Sequence, residues 1–286
     1  MQYIARALEN QPNLAHLNLK DNQLRSKGMV YIAKVLKILP NLTHLNLENN
    51  GFKSNCAVCL TKGLENLLNL AELDISHNSF GYNQVELIAK TLGRLSNLTQ
   101  LAFGDKDLGS KGGMCIAKAL ENLPNLTYLY IPCNSFGPKG IGYIAKSLEN
   151  LPNLTYLHLS GNRLGSKGMV HLAKTFKSLP NLTFLDLGEN QLGSKGAKYM
   201  PTALKNLSNL THLGLGINSF EPEDAKHIAK ALKNLPNLTF IDLSGNSFGP
   251  EEVECIKKET CENLPNLDIF ISEPADDSFS NSEFIE

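Results

Sequence analysis

An asparagine returns every 28 residues along this chain, and the residues around it return with it. The series runs Asn13, Asn41, Asn69, Asn97, Asn125, Asn153, Asn181, Asn209 and Asn237, with a tenth start at Asn266, 29 residues on. The cleanest copy spans 153–180, NLTYLHLSGNRLGSKGMVHLAKTFKSLP. A fixed period of this length predicts a solenoid, in which each unit buries its apolar face only against its neighbours. Length alone would suggest two domains; the unbroken period predicts one.

Each unit changes its hydrophobic period half-way. Leu154, Leu157 and Leu159 spell L-x-x-L-x-L, a short strand with one buried face. Asn162 follows, in a column with Asn22, Asn50, Asn78, Asn134, Asn190, Asn218 and Asn246. A stack of side-chain amides can satisfy the backbone of a bend that has no ladder of its own. The second half contains Gly168, His171, Leu172, Ala173, Phe176 and Leu179, spaced as one helix face. The Ala column through Ala33, Ala89 and Ala145 is small and predicts close packing of helix on strand. The Phe column through Phe52, Phe136 and Phe220 predicts core. Leu-Pro ends the helix, because the residue before proline is biased away from helical geometry. Two departures stand out. Lys106 interrupts the Asn column and predicts a different bend; Pro201 replaces a column Ala and predicts a helix that starts late or kinks.

The sequence L-x-x-L-x-L-x-x-N-x-L/F, then a helix of G-x-x-x-I-A-x-x-L type, runs from Leu182 to Leu204 with Met200-Pro201 in the I-A place. It resembles the leucine-rich repeats of the ribonuclease-inhibitor-like class. That resemblance covers nearly the whole chain. It implies an α/β horseshoe solenoid, with a parallel β-sheet on the concave face and helices on the convex face. The class includes inhibitors, GTPase activators and sensor domains. The animal inhibitors alternate two repeat types with Cys in the Asn column, so an inhibitor role is not implied. On this frame residues 1–272 form the repeat domain: a partial N-terminal repeat, nine full repeats and a final edge strand. Residues 273–286 carry five acids and no base, a composition that predicts a disordered acidic tail. The tail also resembles the short acidic, Ser-containing C-terminal signals of type IV-secreted bacterial effectors. A plain solubilising tail is the alternative.

Composition narrows the partners. The net charge of -1 and only four Arg argue against nucleic acid. No apolar run reaches the length of a membrane span. The six cysteines are expected as reduced, mostly core thiols, and Cys56-x-x-Cys59 has no second pair nearby to make a metal or redox centre. Met1–Leu8 matches the helix half of a repeat rather than an export signal, so the expected compartment is a reducing cytoplasm. The recurrent N-L-T triplets then read as a by-product of the repeat rather than as glycosylation sites.

The outward strand positions give the candidate site. One column runs His16, His44, Glu72, Gln100, Tyr128, Tyr156, Phe184, His212, Phe240; the next runs Asn18, Asn46, Asp74, Ala102, Tyr130, His158, Asp186, Gly214, Asp242. Residues 28 apart should touch across rungs. Tyr128, Tyr130, Tyr156, His158 and Phe184 should therefore form one exposed aromatic patch, flanked by Asp186, His212, Phe240 and Asp242. Aromatic-rich, charge-poor surface is the composition of a protein-binding hot spot, and an aromatic ladder that only supports the sheet is the alternative. His16, His44, Glu72 and Asp74 read as a polar rim, since ladder spacing is looser than metal geometry needs. The expected molecule is a monomeric, non-enzymatic binding module for a protein partner, needing no cofactor or metal, and used as a bacterial effector in a host cytosol. A small-GTPase regulator using Arg163 or Lys106, and a scaffold joined through the apolar final strand, are the competing readings.

Overall fold

The computed structural model describes residues 2–104 and 107–271. Ten strands of three residues form one sheet: β1 (His16–Asn18), β2 (His44–Asn46), β3 (Glu72–Asp74), β4 (Gln100–Ala102), β5 (Tyr128–Tyr130), β6 (Tyr156–His158), β7 (Phe184–Asp186), β8 (His212–Gly214), β9 (Phe240–Asp242) and β10 (Asp268–Phe270). They pair in chain order, all parallel, each residue facing the one 28 positions on. Helices alternate with them: α1 (Gln2–Leu8), α2 (Arg25–Leu36), α3 (Ala57–Leu64), α4 (Tyr82–Leu92), α5 (Gly109–Leu120), α6 (Gly137–Leu148), α7 (Gly165–Thr175), α8 (Gly193–Leu204), α9 (Ala225–Leu232) and α10 (Pro250–Thr260). Neighbouring strands sit about 4.8 Å apart and packed helices 8–10 Å apart, so the array curves with its sheet inside. The α/β horseshoe expected from the period is the fold observed.

Between the layers runs one continuous apolar core. The strand leucines of the inner rungs, most of the apolar helix-face residues and the Phe column are buried, with Phe52, Phe80 and Phe220 fully so. The Asn column does what its chemistry allows. Asn162 donates from Nδ2 to the carbonyls of Leu159 (2.9 Å), Ser160 (3.2 Å) and, one rung back, Ile131 (3.0 Å). Its Oδ1 accepts from the amide of Asn134 at 3.0 Å. The bend thus gets its backbone partners from a buried side chain.

The N-L-T triplets have a structural use that the sequence did not reveal. Asn181 Nδ2 donates to the Pro152 carbonyl at 3.0 Å, and Thr183 Oγ1 to the Thr155 carbonyl at 3.0 Å. Both residues stitch a rung to the one before it. Four Gly residues that open helices, Gly109, Gly137, Gly165 and Gly193, have φ near +60°, a left-handed turn that glycine adopts without strain.

Several expectations change. Cys56 is buried, but Cys59 and Cys115 are only half-buried and Cys133, Cys255 and Cys261 are exposed. Cys59, Cys115 and Cys255 share a column on the flank of the helices, where His171 is exposed for the same reason, while Cys133 lies at the bend before Asn134 and Cys261 follows α10. The small Ala column lets neighbouring helices approach: a Cβ on Gly63 of α3 would lie 3.2 Å from Ala33 Cα of α2, and Thr175 Oγ1 on α7 donates to the Ala145 carbonyl on α6 at 3.0 Å. Pro201 does not delay its helix. α8 begins at Gly193, the same repeat position as α5, α6 and α7, because Pro201 falls in its last turn. The bend at Lys106 and the tail 273–286 lie outside the described residues.

The final rung holds a compensated slip. Asn266 comes one residue late, yet Asp268 pairs with Phe240 in the usual 28-residue register. The extra residue sits in the turn after α10, and the last unit lacks the one residue, Thr or Ala, that separates N-L from the strand in the others. The two changes cancel before the strand starts.

Candidate functional site

The two outward columns form the concave wall. Tyr128 and Tyr156 stack at 4.1 Å between ring centroids and 15° between planes; Tyr156 and Phe184 stack at 4.1 Å and 9°. The row goes on through His212 at 6.1 Å to Phe240 at 5.9 Å. Beside it, Tyr130 and His158 lie 4.7 Å apart. All five residues of the expected patch therefore come together, and His212 and Phe240 extend it.

The rings are less open than strand alternation suggests. Tyr128, Tyr130, Tyr156, His158 and Phe184 are half-buried. A strand spacing of about 4.8 Å is close to the thickness of an aromatic ring, so each ring covers its neighbour's faces and leaves an edge to solvent. Burial raises the hydroxyl pKa values of Tyr128 and Tyr130, and most strongly that of Tyr156, where Tyr128 adds to it. These tyrosines stay neutral donors at any physiological pH.

The acids of the second column hold the wall's own backbone. Asp186 Oδ1 accepts from the Gly188 amide at 2.7 Å, and Asp242 Oδ1 from the Ser244 amide at 2.8 Å. Each carboxylate braces the bend that follows its strand with one oxygen and has a second to spare for another partner. On Asp186 that oxygen, Oδ2, lies 3.3 Å from His158 Nε2, which is also 2.7 Å from Ser160 Oγ. Serine and aspartate share one ring nitrogen while the buried Nδ1 has no partner. A relay in which the acid orients the far side of the imidazole is not built here. Burial lowers the His158 pKa against the opposing pull of Asp186 and Glu189.

At the other end of the wall, His16 and His44 stack at 3.9 Å, His44 Nε2 is 3.3 Å from Glu72, and Gln100 donates to Glu72 at 2.7 Å. Asp74 accepts from the amide and hydroxyl of Ser76 at 2.9 and 2.6 Å. These polar side chains are spent on one another. Among the described residues, no group of three His, Cys, Asp or Glu is arranged to hold a metal ion. Arg163 is exposed at a bend with φ of 55° and shares a hollow with Asp107 and Glu189.

A family model described as Leucine Rich repeat matches residues 10–33, 150–173 and 178–200. The fold is that of a leucine-rich-repeat protein. Among solved structures, the repeat array resembles the yeast Rad7 and Elc1 complex at 19% identity and a TM-score of 0.54. That match covers 95% of this chain and 75% of the other. It is also similar to an internalin, InlF, from Listeria monocytogenes, at 20% identity and a TM-score of 0.49, covering 93% and 82% of the two chains. No curated protein matches the sequence. No described helix is long and apolar enough to cross a membrane.

Proposed function

We propose that this chain is a protein-binding module of the ribonuclease-inhibitor-like kind whose concave wall receives a partner protein. The observation that carries the reading is the Tyr128–Tyr156–Phe184 stack: three parallel rings, each fixed by its neighbours and half open to solvent. Ordering costs at such a surface are low before a partner arrives, and clustered aromatics supply most of the binding energy at protein interfaces. Tyr130, His158, Asp186 and Asp242 would set the partner's orientation, and His212 and Phe240 would extend the contact. The related yeast structure holds Rad7 together with Elc1, and a protein partner is carried over to this chain as part of the proposal.

The proposed role is binding by a single copy, without catalysis or cofactor. The sharing of His158 Nε2 between Ser160 and Asp186 supports a structural duty for that histidine. We further propose that the binder serves as a bacterial effector in a host cytosol; the acidic, Ser-containing sequence 273–286 supports that setting. The test is capture of partners from host extract by the wild-type chain and by a variant with Tyr128, Tyr156 and Phe184 all changed to Ala. A species held by the first and lost by the second is the expected result. Equal capture by both counts against the wall.

A further inference from the structure

On the convex side, Lys34, Lys62, Lys90, Lys118, Lys146 and Lys174 occupy one repeat position on successive helices, and all are exposed. At one place along this row the repeat departs from its own pattern at two consecutive residues. Gly93 stands where other units carry Lys37, Glu65, Glu121 or Glu149, and Arg94 stands where they carry Asn66, Asn122 or Asn150. The backbone does not call for glycine here. Gly93 has φ of -64° and ψ of -5°, which any residue adopts. A Cβ on it would meet Ala119 Cα and Asn122 Nδ2 at 3.5 Å, ordinary contact. What glycine supplies is the missing side chain, and the result is a cleft of about 410 Å³ between α4 and α5.

The cleft has an apolar floor from the buried Ala89 and Ala119, with exposed Met114 beside it, and is lined too by Lys90, Arg94 and Lys118. Glu86 is the one acid on its lining, and it pairs with Lys90 at 2.9 Å. That hydrogen bond holds Glu86 below the ordinary carboxylate range, with Lys118 adding to the effect. Three fixed positive charges against one negative leave a surplus of two. A phosphate monoester near neutral pH carries close to two negative charges, and a planar guanidinium matches its oxygens in pairs. The floor would take an apolar group attached to the phosphate.

We propose that the α4–α5 cleft binds a phosphate monoester, with Arg94 and Lys118 on the phosphoryl oxygens and the organic group over Met114. Calorimetric titration of the full chain with phenyl phosphate tests it. Saturable binding is expected, weakened about tenfold or more in Arg94→Ala, the loss of one charge-assisted pair. Gly93→Glu should abolish it while leaving the fold intact, since that change restores the residue of neighbouring units. Binding of phenyl sulfate as tight as phenyl phosphate, or unchanged affinity in Gly93→Glu, overturns the assignment. Sedimentation with phosphatidylcholine vesicles, with and without phosphatidic acid, tells a lipid headgroup from a soluble ester. Association that needs phosphatidic acid and is lost in Gly93→Glu supports the headgroup. Absence of both saturable heat and vesicle association overturns the proposal.

Discussion

Asn162 donates from its side-chain amide to the carbonyl of Ile131, 3.0 Å away and one rung behind. The same amide group closes its own bend, so one residue joins two units. Asn162→Ala would take from the buried Asn134 amide its side-chain acceptor, while the Ile131 and Leu159 carbonyls keep a second donor in Asn134 and Asn190. The expected loss is about 2 kcal/mol of unfolding free energy, since one buried group left without its acceptor costs ~1–3 kcal/mol and the shared carbonyls keep a donor. Asn181→Ala removes a single exposed bond and should cost about 1 kcal/mol or less. Urea unfolding of both variants measures the contrast.

Tyr156 stacks on two rings, so Tyr156→Ala should act twice. Two lost aromatic pairs at ~0.5–1.5 kcal/mol each predict a stability loss of about 1–3 kcal/mol. Partner affinity should fall by a further ~2 kcal/mol or more, as for a central hot-spot residue. Tyr156→Phe, which keeps the ring, should restore stability; titration with the captured partner then shows how much of the affinity belongs to the hydroxyl.

The pKa of His158 is depressed in the folded chain, chiefly by burial. As pH falls, the unfolded chain takes up this proton first, near the ordinary histidine value of about 6.5. Stability should therefore be full above that value and decline below it, until pH passes the folded pKa. The pH-dependence of unfolding in wild type minus that in His158→Gln isolates the step. A difference that stays flat between neutral and mildly acid pH would show that burial does not disfavour the proton here.

Pro201 leaves the last turn of α8 without one backbone donor. Pro201→Ala should raise stability by about 1–2 kcal/mol: a helix-interior proline costs ~3 kcal/mol, offset by the greater freedom that alanine gives the unfolded chain. The thermal midpoint should move up accordingly.

Thiol accessibility is a fifth kind of readout. With an aromatic disulfide reagent, Cys133, Cys255 and Cys261 should react at once, Cys59 and Cys115 more slowly, and Cys56 only on unfolding. Uniformly slow reaction of all six would restore the picture of core thiols.

The period carried the architecture openly. Spacing of 28 residues fixed which strand lies beside which, and with it the neighbours of Tyr156 and His158. Side-chain depth was harder to read. A helix flank lies between the buried and open faces, so His171 and Cys115 sit on a boundary that a 3.6-residue period does not resolve. Ring stacking buried Tyr128 and Tyr156 part-way, because depth depends on neighbours in three dimensions and not on alternation alone. Asp186 and Asp242 looked like free charges, but an aspartate two residues before a bend's amide folds back to cap it. Gly93 and Arg94 were visible as letters, and only the packing of α4 against α5 showed the space they leave.

The slip at the last rung bears on how such a chain can change length. One residue was gained behind α10 and one lost before β10, and the sheet did not notice. Turns on the outer rim can therefore absorb single-residue edits, whereas an uncompensated edit just before a strand would swap its lipophilic and hydrated faces. Whole 28-residue modules could be spliced out or duplicated with both seams intact, lengthening or shortening the cradle while every surviving joint keeps its original mate.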